Sequence, residues 1–276
     1  MNIIYFLNIL YISMPSKITP LLLTWEEYNK KEILFPYIFQ IKNKKQLLLY
    51  FGASHTHNSQ DDQFDNIKKY WQDFLKNTKN KQCLVLIEGG QRKIYKNSNK
   101  AILNDGEAGY ITYLSAQSNI EINSPEPPDN FVINKLLKKF SKNKIYYNYF
   151  ANLILQWHRL DPVPNLEKYL GNYFYQDKHE FNWKDFEFSL DHMKKIHQDL
   201  FNKKFNPLDE DFFYNITTPT ENTCTINKVS QERGLIRDVY IVEQIIKYWK
   251  EGKNLFIVFG FSHAIVQEPA LIKLLK

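Results

Sequence analysis

Short apolar runs separated by turn residues dominate the hydrophobic pattern of this chain. Four runs have the length of strands and are bounded by Gly, Pro or Asn: 46–51 (QLLLYF), 83–87 (CLVLI), 119–123 (NIEIN) and 255–259 (LFIVF). Runs without polar alternation indicate strands that are buried on both faces, as in a parallel sheet. An earlier strand is predicted near 33–41, where Pro36 would confine it to a sheet edge.

Helical patterns lie between these predicted strands. Residues 65–77 link the first two runs, and 107–118 follow a capping signal at Asn104-Asp105. Apolar residues recur at helical spacing over 235–249, just before the last strand. The alternation of strands and helices predicts an α/β fold with a largely parallel central sheet flanked by helices.

The middle of the chain has a different pattern, rich in aromatic residues and without strong strand signals. Residues 131–140, 145–160 and 186–205 are predicted helices, and the polar, turn-rich stretch 206–231 is a predicted long loop. We therefore expect a single α/β domain over 14–276, with a helical insertion or cap at about 130–232.

Two strands end in nearly the same sequence. Leu47–His55 reads LLLYFGASH and Leu255–His263 reads LFIVFGFSH. Glycine would let the chain turn where the strand stops, and serine would cap a following helix. Ligands of open α/β sheets bind outside the carboxyl ends of the strands. The repeat therefore predicts that His55 and His263 point into one crevice.

Acidic residues follow the other strands. Glu88 comes directly after CLVLI, where core packing explains a carboxylate poorly. Glu107 in GEAG and Glu126 in SPEP are further candidates, although a helix dipole or a turn would also explain them. Arg237 and Asp238 lie in the helix before the last strand and form either part of the site or a structural ion pair.

Two histidines with one or two carboxylates support two kinds of chemistry. They form a nitrogen and oxygen donor set for Zn, Mn, Co or Fe, with His55, Glu88 and His263 as the candidate ligands. Without a metal, a histidine beside a glutamate can act as a general base on water, and Arg237 can stabilise an oxyanion. The spacing of the residues leaves both alternatives open.

The order of these motifs resembles a known superfamily. GASH, Glu88, GEAGY, SPEP, an Arg-Asp pair and GFSH follow one another as in the superfamily of TraB proteins, Tiki proteases, ChaN-like proteins and erythromycin esterases. The C-terminal stretch is more similar to an uncharacterised bacterial branch that ends in GxSH and QEPAL. The resemblance covers most of 45–126 and 233–271.

The resemblance implies an α/β fold with the active site at the sheet edge. By position, His55 and His263 match the paired Gly-x-x-His histidines, and Glu88 matches the acid at the end of a strand. Tiki-like members are linked to metal-dependent peptide hydrolysis, esterase members to a water activated by histidine, and ChaN-like members to haem. The superfamily therefore specifies the site better than the reaction.

We expect a hydrolase that cleaves a peptide, ester or amide bond in a small-molecule or peptide substrate, with Mn, Co or Zn as the candidate metals. The alternative is a non-catalytic protein of ChaN-like type that binds haem or another small ligand, a reading supported by the aromatic insertion. The acids Glu88, Glu107 and Glu126 count against this alternative, because they would repel haem propionates.

Charge and composition narrow the choice of partners. The formal charge is +6, and the lysines are scattered without a basic stripe, which argues against nucleic acid. The apolar residues 1–13 are too short to span a bilayer and are expected to be a non-native start before Met14 or a disordered leader. We therefore expect a cytoplasmic protein without membrane association. Only four basic residues are arginines, including the pair Arg233 and Arg237.

Overall fold

A five-stranded sheet forms the centre of the protein, as seen in a computed structural model that describes residues 17–276. The strand order is β1-β2-β5-β3-β4; β1 is antiparallel to β2, and all other pairs are parallel. The strands are β1 (Tyr37–Lys42), β2 (Leu47–Ala53), β3 (Cys83–Ile87), β4 (Glu121–Asn123) and β5 (Asn254–Gly260). The predicted α/β fold with a largely parallel sheet is confirmed. The predictions for residues 1–13 and for a start at Met14 lie outside the described residues.

Helices surround this sheet and form the region between β4 and β5. They are α1 (Trp25–Tyr28), α2 (Gln63–Asn77), α3 (Ser98–Gln117), α4 (Asp129–Leu136), α5 (Lys142–His158), α6 (Leu166–Phe181), α7 (Leu190–Phe201), α8 (Glu210–Thr217), α9 (Thr225–Lys250) and α10 (Phe261–Leu275). None of the described helices is both long enough and apolar enough to cross a membrane.

Burial on both faces explains the uniformly apolar central strands. Every residue of β2 and β5 is buried. Alternate side chains pack with α9 and α10 on one face and with α2 and α3 on the other. The predicted edge strand is β1, and Pro36 immediately precedes it, so no ladder hydrogen bond is lost.

Two helices of the middle region were missed. The stretch predicted as a loop over 206–231 contains α8 and the first residues of α9, and α6 had no prediction at all. In α8, Phe213 and Ile216 anchor a short amphipathic turn in a hydrophobic core. Tertiary packing therefore stabilises a segment whose polar composition alone favours a loop.

The middle region has a hydrophobic core of its own. Helices α4 to α8 pack around buried aromatic and aliphatic side chains such as Tyr147 and Phe150. Helix α9 belongs to both cores: Val229 and Ile236 pack in the helical region, whereas Val242 and Ile245 pack against the sheet. This one helix therefore ties the helical region to the sheet.

The glycines of the repeated motif have a different role from the one predicted. Neither Gly52 nor Gly260 has a positive φ, and both are still part of their strands. A Cβ atom on Gly52 would lie 2.8 Å from the carbonyl oxygen of Tyr37 and 3.0 Å from the Cα of Phe261. The glycine is needed for this close approach of backbones. The predicted serine cap is also absent from α10, because the N-cap residue of this helix is Gly260, which has no side chain that could accept a hydrogen bond.

Replacing Gly52 by alanine should destabilise the fold, because the nearest atoms belong to rigid backbone. We expect Gly52→Ala to lower the free energy of unfolding by about 1–3 kcal/mol in denaturant titrations. The control is Gly171→Ala in α6, where no atom lies within 4 Å of the added carbon and alanine suits the helix better. Equal stability of Gly52→Ala and the native protein would contradict this account.

Candidate functional site

Three neighbouring strands deliver their polar residues to one edge of the sheet. His55 lies two residues beyond β2, His263 lies in the first turn of α10 after β5, and Glu88 directly follows β3. The Glu88 carboxylate lies between the two rings: Oε2 is 3.8 Å from Nε2 of His55, and Oε1 is 3.5 Å from Nε2 of His263. The structure thus brings the three principal residues together.

A buried glutamate holds the His55 ring. Nδ1 of His55 lies 2.6 Å from Oε1 of Glu107, which leaves Nε2 facing Glu88. Glu107 comes just after a kink in α3, where Gly106 has a φ of +56° and a Cβ would lie 2.9 Å from the carbonyl oxygen of Thr56. Only glycine fits this position, so the kink that brings Glu107 within hydrogen-bond distance of His55 depends on Gly106.

His263 has the same arrangement on the other side of Glu88. Its Nδ1 lies 2.6 Å from Oδ1 of Asp238, and Gln267 donates to the same oxygen at 2.7 Å. Tyr50 in β2 donates to Gln267 in turn. Asp238 is almost completely buried, and this network fixes the orientation of the His263 ring.

Arg237 connects two carboxylates instead of pairing with Asp238. Its guanidinium binds Glu126 through Nε at 3.1 Å and Nη2 at 2.7 Å, and Nη2 also lies 3.2 Å from Oε1 of Glu88. The structural ion pair considered for Arg237 and Asp238 is therefore wrong. Glu126 belongs to the site through Arg237, and the structure gives it no contact with either site histidine.

The electrostatic environment separates the protonation states of the site residues. Burial opposes charge on Glu88, but the cationic groups of His263, Arg237 and His55 hold its pKa well below the usual range. Burial also disfavours charge on His263, yet Asp238 and Glu88 raise the pKa of His263 to about 10. The hydrogen bond to Glu107 raises the pKa of His55 despite partial desolvation.

An open cleft of about 950 Å³ gives access to His55 and Glu88, whereas His263, whose side chain is 12% exposed, does not line it. His55, whose side chain is 63% exposed, lines the cleft together with Glu88 and Glu107. The helical region contributes Gln156 and Tyr173 to the opposite wall. No sequence signal distinguished these two residues, because their place in the cleft depends on how α5 and α6 pack.

Arg92 is a third residue of the cleft that sequence reasoning missed. Its guanidinium donates to the carbonyl oxygens of Glu88 at 3.3 Å and Gly89 at 2.5 Å. Gly89 and Gly90 both have positive φ, so the loop after β3 turns through a conformation that favours glycine. Arg92 braces this loop, and the scarcity of arginine was the one signal that could have indicated it.

The predicted metal ligands have donor atoms of a suitable kind. In both histidines Nδ1 is hydrogen-bonded to a carboxylate, as is common in metal-binding histidines. The other ring nitrogen, Nε2, faces Glu88. In the arrangement seen here, the Glu88 oxygens already accept from Gly260 N–H at 2.8 Å and from Arg237. Within residues 17–276, no group of three or more His, Cys, Asp or Glu residues is placed so that it could hold a metal ion.

Comparisons with known proteins gave no relatives for this chain. No protein-family model matches it, and neither a curated protein nor a solved structure is significantly similar.

Gly260 offers a direct test of the site geometry. A Cβ on this residue would lie 2.8 Å from Nε2 of His55 and 3.2 Å from Oε2 of Glu88, while its φ of −51° suits alanine. We expect Gly260→Ala to leave the fold intact and to displace the His55 ring, seen as a shift of its NMR signals and of its pKa. Unchanged His55 signals in a folded variant would show that the ring does not lie where the structure puts it.

Proposed function

We propose that this protein is a hydrolase whose active site is formed by His55, Glu88 and His263. The observation that carries the proposal is the pair of carboxylate–histidine dyads on either side of Glu88. The surroundings lower the pKa of Glu88 and raise the pKa of both histidines, and perturbed pKa values are typical of acid and base groups in active sites. The substrate is a small molecule or peptide with a scissile ester, amide or peptide bond.

His55 is the general base in this proposal. Glu107 orients the ring and stabilises the positive charge that develops on it. Nε2, the ring nitrogen that Glu107 leaves free, takes a proton from water as the water oxygen attacks the carbonyl carbon of the substrate. The negative charge of Glu88, whose Oε2 lies 3.8 Å from Nε2 of His55, stabilises the protonated ring.

His263 is the general acid, since its pKa of about 10 keeps the ring protonated at neutral pH. Its Nε2–H faces Glu88, which lines the cleft, so the Glu88 carboxylate takes this proton and passes it to the leaving oxygen or nitrogen as the carbon–heteroatom bond breaks. Arg237 was expected to stabilise the oxyanion, but two of its nitrogens are held by Glu88 and Glu126. We assign it a positioning role for Glu88.

A metal-dependent form of the same site is the second candidate. His55, Glu88 and His263 would hold Mn, Co or Zn, and the ion would supply a bound water of lowered pKa. The orientation of both Nε2 atoms towards Glu88 favours this form. The charge balance favours the metal-free form, because His263 and Arg237 already neutralise Glu88.

The haem alternative has less support. The cleft contains the carboxylates of Glu88, Asp105 and Glu107, which would repel propionates. We also propose membership in the superfamily of TraB, Tiki, ChaN-like and erythromycin esterase proteins. The support is the order of the motifs, together with the meeting of His55, Glu88 and His263 at the strand ends.

The dependence of activity on pH tests the role of His55. Activity on a panel of p-nitrophenyl esters and peptides should rise with pH as His55 loses its proton, with a midpoint above 6.5 because Glu107 raises this pKa. Glu107→Gln removes the negative charge that raises the pKa of His55, so the midpoint of the pH profile of kcat/KM should shift to lower pH. The maximal kcat/KM should also fall, because the glutamine stabilises the protonated ring less well.

Replacing the base itself should have the larger effect. We expect His55→Gln to lower kcat/KM by roughly 10²–10⁴-fold. The control is His179→Gln, on the exposed surface of α6, with unchanged kinetics. Equal activity of His55→Gln and the native protein, or no hydrolysis of any member of the panel, would falsify the proposed hydrolase.

Elemental analysis distinguishes the metal-free form from the metal-dependent one. Since His263 is protonated and the Glu88 oxygens are occupied, we expect far less than one Mn, Co or Zn per chain, and activity that survives dialysis against EDTA. Near-stoichiometric metal that disappears in the double variant His55→Ala, His263→Ala would instead establish the metal-dependent hydrolase.

A further inference from the structure

Arg233 is a cation without an anion, one helical turn before Arg237. Among residues 17–276, no hydrogen bond or ion pair involves its guanidinium, although the side chain is only partly exposed. Its one neighbour of note is the ring of Tyr149, whose centroid lies 4.4 Å from the guanidinium carbon. A guanidinium that stacks on a ring keeps its in-plane N–H groups free for a bidentate acceptor.

Tyr149 contributes a second unsatisfied group. Its hydroxyl oxygen is buried and has no hydrogen-bond partner. Leaving a buried hydroxyl unpaired costs about 1–3 kcal/mol, so such groups in native proteins call for an explanation. Two unsatisfied donors side by side, one of them cationic, match an anion whose oxygens carry several lone pairs.

The arrangement of α5 links this pair to the cleft. From Ile145 to Trp157 every residue of the helix is buried except Tyr149, Asn152 and Gln156. Their spacing of three and four places them on one helix face, about 10 Å long. Gln156 lines the cleft that contains His55 and Glu88. The face therefore runs from Arg233 to the candidate active site.

Charge around Arg237 explains why Arg233 is the free member of the pair. Arg237 is neutralised by Glu88 and Glu126, and nearby Glu232 is paired with Lys139 at 2.7 Å. Asp129 and Asp177 are close enough to Tyr149 to raise its pKa, but neither forms an ion pair with Arg233 in the described part of the chain. An anionic ligand can therefore pair with the Arg233 guanidinium.

We propose that Arg233, held against Tyr149, binds an anionic oxygen group of the substrate, a carboxylate or a phosphate, beside the hydrolytic centre. The inference about substrate class rests on the proposed function, whereas anion binding by Arg233 does not. The hydrolysed bond would lie over His55 and Glu88, and the anionic end of the same molecule would lie along the exposed face of α5.

Calorimetric titration with inorganic phosphate and with succinate tests the anion site directly. We expect both probes to bind the native protein at low ionic strength, and Arg233→Gln to weaken binding by roughly 10–100-fold, the range for charge-assisted hydrogen bonds. Tyr149→Phe should cause a smaller loss. The control is Arg159→Gln, an exposed arginine at the end of α5. Native-like binding in folded Arg233→Gln, or no binding of either probe to the native protein, would overturn the proposal.

Kinetics with a matched pair of esters test the substrate class. The charged ester needs a chain long enough to span the face of α5 between the cleft and Arg233. For mono-p-nitrophenyl sebacate, Arg233→Gln should raise KM by roughly 10-fold or more, with kcat less affected. For the neutral p-nitrophenyl decanoate, KM and kcat should stay unchanged. Equal losses for both esters would contradict a carboxylate subsite. If neither ester is hydrolysed but Arg233→Gln still loses phosphate binding, the hydrolase proposal fails and the anion site stands.

Discussion

The carboxylate of Glu88 at the end of β3 is the interaction on which the site depends. A carboxylate in a largely buried position is costly unless cations and N–H donors compensate for its lost hydration. Here Gly260 N–H, Arg237 and His263 contact it, and His55 lies slightly farther away. These partners come from three separate parts of the chain, the ends of β2 and β5 and the middle of α9, so the charge of one residue organises the whole sheet edge.

The two histidines are similar in sequence and differ in environment. Asp238 is almost completely buried and, together with Glu88, raises the pKa of His263 to about 10, whereas Glu107 holds a His55 ring that is largely exposed to solvent. Because protonation follows burial and charge, a near-repeat in sequence yields two rings in different electrostatic environments. The acid and base roles that we propose for them therefore rest on the packing around each ring.

Helix α9 provides the mechanical connection between the two cores. Its first half packs in the helical region and its second half packs on the sheet, with Arg233, Arg237 and Asp238 at the junction. The helix thereby fixes the position of the cleft wall formed by α5 relative to His55, Glu88 and His263. In the proposed hydrolase, this one rigid element would link binding of the substrate body to chemistry at the scissile bond.

The sequence by itself determined the strands, their parallel arrangement and the meeting of His55, Glu88 and His263, because apolar runs and strand ends are local signals. It misjudged α6, α8 and the role of the Gly-x-Ser-His glycines, since close approach and distant packing are not written in local patterns. Only the tertiary structure decided the partners: Glu107 for His55, Asp238 for His263, and none for Arg233 among the described residues. Pairing depends on distances across elements far apart in the chain, and these are set by the packed core.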